Sequence, residues 1–232
     1  MTRRILAFVA LLVLWGNASQ RLLGDTAVLP GGSVAFIVAG LGAIALSLAF
    51  ARAIGLDGPA LGISRAGIIR TAALGVIVGG VIATVDVAAI RVAPLIVGAP
   101  LIYAPVMTVT RDELLRHIAI FLPLGAVIPE EIVFRGTLLG ALAREWGTRL
   151  AVAGSAIAFA LWHVAVVFTT VASTSLGPLG PIAVPGALVI LVAGGALMAA
   201  LRVRTRSLAA PIAAHWTFNA VILVGFWTAQ RA

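Results

Sequence analysis

Cysteine is absent from this chain of 232 residues, and so is lysine: all sixteen basic residues are arginine. Without cysteine there is no disulfide framework, no thiolate nucleophile and no thiolate metal site, and the redox compartment is not legible. Charge is scarce as well. Charged residues make up 10% of the chain and aromatics 6%, while hydrophobic residues reach 62% before the 25 glycines are added. A soluble domain holds about 45–50% with glycine included. Mean hydropathy is +1.16. A soluble protein of this length has no means of hiding that much apolar surface. A soluble globular enzyme, a disordered chain and a secreted disulfide scaffold are therefore excluded, and the solvent for most of the chain is lipid. In such a chain a net charge of +8 reads as topology, arginines marking the cytoplasmic ends of spans, and not as a nucleic-acid surface.

What is present is a series of apolar runs. They predict an all-α, polytopic membrane helix bundle. The expected spans cover 5–18, 33–50, 67–90, 118–129 extended past Glu130 and Glu131, 149–172, 182–201 and 208–228. Thr110 followed by Glu113 has capping-box spacing and predicts the start of the fourth. The segment 92–109 is apolar but holds Pro94, Pro100 and Pro105, and arginine counting decides its nature. If it does not cross and the N-terminus is inside, eleven arginines lie inside and five outside; if it crosses, the split is eight to eight. The positive-inside rule favours about seven transmembrane helices with 92–109 re-entrant or interfacial. It also places the N-terminus in the cytoplasm, with the site expected to open nearer that face. Residues 1–109 form an N-terminal portion of membrane helices and the external Pro-rich segment, and 110–232 the portion that carries the chemistry.

Polar groups at membrane depth are costly and mark function or partnership. They fall in three clusters. In Pro129-Glu130-Glu131-Ile132-Val133-Phe134-Arg135, Glu131 and Arg135 stand at i and i+4 and can pair, which leaves Glu130 free as a general base. His163 lies well inside the fifth span. In the last, His215 and Asn219 share one helix face, as two donors suited to a developing oxyanion. Each cluster alone also fits a helix-ending ion pair or interhelical polar glue. Together they form a hydrolytic kit of base, orienting group and oxyanion donors. His117, in the charged stretch 111–117, reads as interfacial. No HExxH, GxSxG or paired-aspartate signature is present; Glu130, His163 and His215 could still supply a zinc set from separate helices.

The motifs EExxxR at 130–135, FxxxH at 159–163 and HxxxN at 215–219, with Arg204-Thr205-Arg206-Ser207-Leu208 through Pro211, resemble those of the CPBP family. These are the CAAX-processing and bacteriocin-processing intramembrane proteases, also called the Abi family. The resemblance covers about residues 110–225. It implies that Glu130 activates water with the help of His163, that His215 and Asn219 hold the oxyanion, and that Glu131 and Arg135 support them. It favours a metal-free mechanism, with zinc on Glu130, His163 and His215 as the other reading. The implied substrate is a membrane-associated or lipidated peptide, and the implied setting a bacterial cytoplasmic membrane. A non-catalytic bacteriocin-immunity or partner-binding protein of the same fold is the alternative. A small transporter with a proton relay would need an inverted repeat, and the hydropathy shows none.

Overall fold

The computed structural model describes residues 1–24, 33–64, 67–98 and 100–231. Arg65, counted above among the inside arginines, lies outside the described residues. Within them the fold is helical. Helices α1 (Thr2–Leu23), α2 (Val34–Ala53), α3 (Gly58–Leu61), α4 (Ile68–Val97) and α5 (Ala104–Met107) lead into a long helical stretch. That stretch comprises α6 (Arg111–Arg116), a π-helical run His117–Val127, α7 (Ile128–Glu130), a second π-helical run Glu131–Leu138 and α8 (Leu139–Trp162). Then follow α9 (Val164–Ala172), α10 (Gly180–Thr205) and α11 (Ala209–Ala229). The expected capping box is made: the Thr110 hydroxyl accepts from the Glu113 N–H, and the Glu113 carboxylate accepts from the Thr110 N–H at 2.8 Å.

Six helical stretches are long and apolar enough to cross a membrane, where the sequence predicted seven. The difference lies in Arg111–Trp162, one stretch of 52 residues that holds the fourth predicted span and most of the fifth. Gly147, at φ 78° and ψ 167°, breaks it. That backbone region is open only to glycine at low cost, so the chain reverses there and α8 returns beside α1. The predicted basic loop 202–207 is mostly helix as well: α10 continues to Thr205 and ends on Arg206, whose φ of 55° is left-handed.

Two parallel pairs orient the bundle. α1 runs with the returning half of α8: Thr2 bonds Glu145 near one end and Gln20 bonds Thr169 of α9 near the other. α4 runs with α11. A Cβ on Gly75 or Gly79 would strike the carbonyl oxygens of Ala210 and Ala214, and Val87 packs on Gly225. Farther along, Arg91 donates to the Thr228 hydroxyl at 2.9 Å. One end of the bundle therefore collects Arg52, Arg70, Arg144, Arg149, Arg202, Arg204 and Arg206; we call it the arginine-rich end.

The segment after α4 stays at the opposite end. Only its first residues, to Val97, continue α4. Tyr103, Val106 and Val109 pack against Leu223, Phe226 and Trp227 of α11. Arg231 and Trp227 donate to the Val109 carbonyl at 2.7 and 2.9 Å. The segment also pairs, Tyr103 with Thr174, beside the end of α9. It lies across the far end without crossing, as the arginine count favoured. Side chains such as Ile69, Ile77, Val81 and Val85 stand exposed along α4. In water such a stripe would drive aggregation, whereas in lipid it is the expected outer surface.

Candidate active site

The two glutamates sit where the long stretch departs from α-geometry. Pro123 and Pro129 remove two backbone donors from it, and π-helical turns flank Ile128–Glu130 on both sides. Such widened turns are common at functional sites. Here they set two carboxylates at membrane depth, with Glu131 fully buried and Glu130 nearly so.

Glu131 is held by two partners. Its Oε1 lies 3.1 Å from Arg135 Nη1 and 2.8 Å from His215 Nδ1. The Arg135 guanidinium is also buried, 4.2 Å over the Phe159 ring, and donates to the Gly195 carbonyl at 3.4 Å. A buried charge left without such partners would cost several kcal/mol, about 3–5. Because a carboxylate can only accept here, His215 Nδ1 carries a proton and its Nε2 is turned to Glu130, 3.9 Å from Oε2. That gap exceeds a direct hydrogen bond and fits a shared substrate atom or water.

His163 occupies a helix break. Its φ of −94° and ψ of 6° end α8 and begin α9. Its Nδ1 lies 2.7 Å from the Phe159 carbonyl, which accepts, so this nitrogen is also protonated; Nε2 then faces Glu130 Oε1 at 3.5 Å. A break orphans backbone groups that lipid cannot satisfy. Asn17 of α1 satisfies them: its Oδ1 accepts from the Ala165 N–H at 2.7 Å, and its Nδ2 donates to the Leu161 carbonyl at 2.8 Å and to Val13. One side chain from the first helix thus spans the kink on which His163 sits.

Glu130, Arg135, His163, His215 and Asn219 line one cavity of about 820 Å³. The structure therefore brings the predicted residues together, with Glu131 just behind the wall. Two points differ from the sequence reading. His117, read from its charged stretch as merely interfacial, is buried and lines the cavity. And the cavity runs from Met198 and His215 toward Tyr103, Thr174 and Phe226, the end away from the arginines. The reason is packing. α10 and α11 close on each other through Met198, Leu201, Ala210 and Ala214 at the arginine-rich end, which seals the floor on that side. Burial pushes the Tyr103 hydroxyl up to about 12, so it stays neutral.

Sequence reasoning missed Asn17, the contact of Glu131 with His215, and the place of Asp86 and His117 in the cavity wall. Asn17 was findable as a polar residue inside the first apolar run. The others depend on how distant helices meet. Among the described residues, no set of three His, Cys, Asp or Glu side chains is arranged to hold a metal ion. The Nδ1 contacts of His163 and His215 leave both Nε2 atoms facing Glu130.

Residues 113–221 match a family model described as Rce1-like, type II CAAX prenyl endopeptidase. That stretch contains all three motifs with Glu130, Glu131, Arg135, His163, His215 and Asn219, and it is there that the chain matches the CAAX protease family. No curated protein and no solved structure matches the chain. The matched family is one of endopeptidases, and six helical stretches long and apolar enough to cross a membrane support an integral membrane protein.

Proposed function

We propose that the protein is an intramembrane endopeptidase that hydrolyses a peptide bond of a membrane-associated or lipidated peptide, using a glutamate-activated water and no metal step. The observation that carries this is Glu130, held between the Nε2 atoms of His163 and His215 at 3.5 and 3.9 Å on the wall of a cavity at membrane depth. A water against Glu130 loses its proton to the carboxylate as it attacks the carbonyl carbon. With Nδ1 committed to Phe159, His163 shares that proton through Nε2 and hands it to the leaving amine. His215 Nε2 and the Asn219 amide, one helical turn apart, face the oxygen on which charge develops. Glu131 acts through His215: its carboxylate on Nδ1 fixes the ring so that Nε2 faces the developing oxyanion.

In this reading residues 110–232 hold the chemistry, while 1–109 add cavity wall and the Asn17 brace. The setting is a bacterial cytoplasmic membrane with the N-terminus inside, supported by the eleven-to-five arginine split. The test is cleavage of a membrane-anchored fluorogenic peptide by purified protein in liposomes. Glu130→Gln keeps the shape and removes the proton acceptor, and activity should fall about 10²–10⁴-fold. Full activity in Glu130→Gln would remove the base. Loss on chelation, restored by zinc, would make Glu130, His163 and His215 ligands. Protection of cells against a bacteriocin by Glu130→Gln would favour the non-catalytic alternative.

A further inference from the structure

Asp86 is the one aspartate within an apolar span, on α4, and it lines the cavity shared with Glu130. Its place is fixed by helix packing. Gly75, Gly79, Ile82 and Asp86 follow one another at spacings of four, three and four, so they share a helix face. Gly75 and Gly79 of that face are pressed on α11, and Ile82 and Asp86 continue it where the cavity opens. Among the described residues, Asp86 has no hydrogen bond and no ion pair, whereas Glu130 and Glu131 are both within 4 Å of cationic or histidine nitrogens. The cavity that it lines is mostly apolar, with Phe36, Ile190 and Leu223 among the lining side chains. A carboxylate at membrane depth that the fold does not pair marks a ligand site.

We propose that Asp86 is a charge-selecting subsite that receives a basic side chain of the substrate peptide about three residues from the bond cleaved at Glu130. The proposal rests on the hydrolytic reading of Glu130. The charge follows from chemistry. An unpaired carboxylate in an apolar wall attracts an ammonium or guanidinium group and repels an acidic residue or a free C-terminal carboxylate. The spacing follows from geometry. Gly79 lies against Ala214, the neighbour of His215, and Asp86 is seven residues farther along α4. At about 1.5 Å per residue that is about 10 Å along the helix. An extended peptide advances about 3.3 Å per residue, so the same distance is about three substrate residues. The subsite lies on α4, outside the stretch matched by the family model.

The experiment uses the full chain in liposomes and membrane-anchored fluorogenic peptides that differ only in bearing Arg, Gln or Glu at each of several positions flanking the cleaved bond. The wild type should prefer Arg over Gln by about tenfold in kcat/KM at a position about three residues away, and disfavour Glu there. Asp86→Asn should flatten the ranking, and Asp86→Arg should invert it toward Glu. An Arg preference unchanged in Asp86→Asn, or no charge preference at any position, overturns the proposal. N-acetylation of the peptide should leave the ranking intact; loss of the preference on acetylation would assign the subsite to a free amine and overturn the side-chain assignment. A second readout does not depend on turnover. Binding of the same peptides to Glu130→Gln protein, by fluorescence anisotropy, should show the Arg preference and lose it in Glu130→Gln/Asp86→Asn. Asp86-dependent binding without any wild-type cleavage would strike the hydrolytic reading alone. Cleavage without charge discrimination would strike the Asp86 subsite alone.

Discussion

His215 Nδ1 and Glu131 Oε1 are 2.8 Å apart, and the same oxygen faces Arg135 at 3.1 Å. The adjacent glutamates therefore do different work. Glu130 faces the cavity through both histidines, while Glu131 is fully buried and braces one of them.

Replacing Glu131 tests that division. Glu131→Gln leaves the Arg135 charge buried without its partner, at a cost of about 3–5 kcal/mol, and the melting temperature in detergent should drop. Arg135→Met added to it removes the stranded charge, and stability should return. Turnover should not return, because His215 still lacks its carboxylate. Recovery of kcat together with stability in Glu131→Gln/Arg135→Met would reduce Glu131 to a purely structural partner of Arg135.

Asn17 gives a second test, on the other histidine. Asn17→Ala strands the Ala165 N–H and the Leu161 carbonyl beside the His163 break. Each unpaired buried group costs about 1–3 kcal/mol, and His163 loses its fixed approach to Glu130. The expected result is a lower kcat with KM little changed. Asn17→Asp, which keeps the acceptor for Ala165 and loses the donor, should fall between. A rise in KM alone would place Asn17 in substrate binding instead.

Those two residues also mark how far the sequence could be read. Period, hydropathy and the cost of polar groups in lipid were enough for an all-helical membrane bundle, for the helix start at Thr110 and for the six polar residues of the three motifs. Arginine placement alone indicated that 92–109 does not cross, because insertion responds to local charge. What was not legible depends on contacts between distant segments. The i, i+4 rule links Glu131 with Arg135 but is silent on His215, which is 84 residues away. The separation of the fourth span from a fifth beginning at 149 was legible, and the reversal at Gly147 falls between them. The direction of the cavity follows from where α10 and α11 touch, which no local pattern encodes.

Asn219 separates transition-state from ground-state binding. Its amide lines the cavity one helical turn beyond His215 on α11. A donor to the oxyanion acts only once charge has developed, so Asn219→Ala should lower kcat with little effect on KM. Removal of one such donor costs about 10²–10³ in kcat. Steady-state kinetics on the anchored peptide measure both constants, and an effect confined to KM would take Asn219 out of the oxyanion hole.

Orientation is open to a direct chemical test because the chain has no cysteine. A single introduced thiol is then the sole target of a membrane-impermeant maleimide applied to intact cells. Met107 and Leu179 are both exposed, 55% and 52%, at the end away from the arginines, so Met107→Cys and Leu179→Cys should label from outside. Arg204→Cys, on the exposed last turn of α10, should label only after permeabilisation. Since the cavity runs toward Tyr103 and Thr174, the same orientation makes the site accessible from the outer half of the membrane. A polar maleimide should then slow cleavage in Thr174→Cys when it is added outside and spare the wild type. External labelling of Arg204→Cys with protection of Leu179→Cys would invert the protein, put the mouth of the cavity in the cytoplasm, and show that the arginine split does not set its topology.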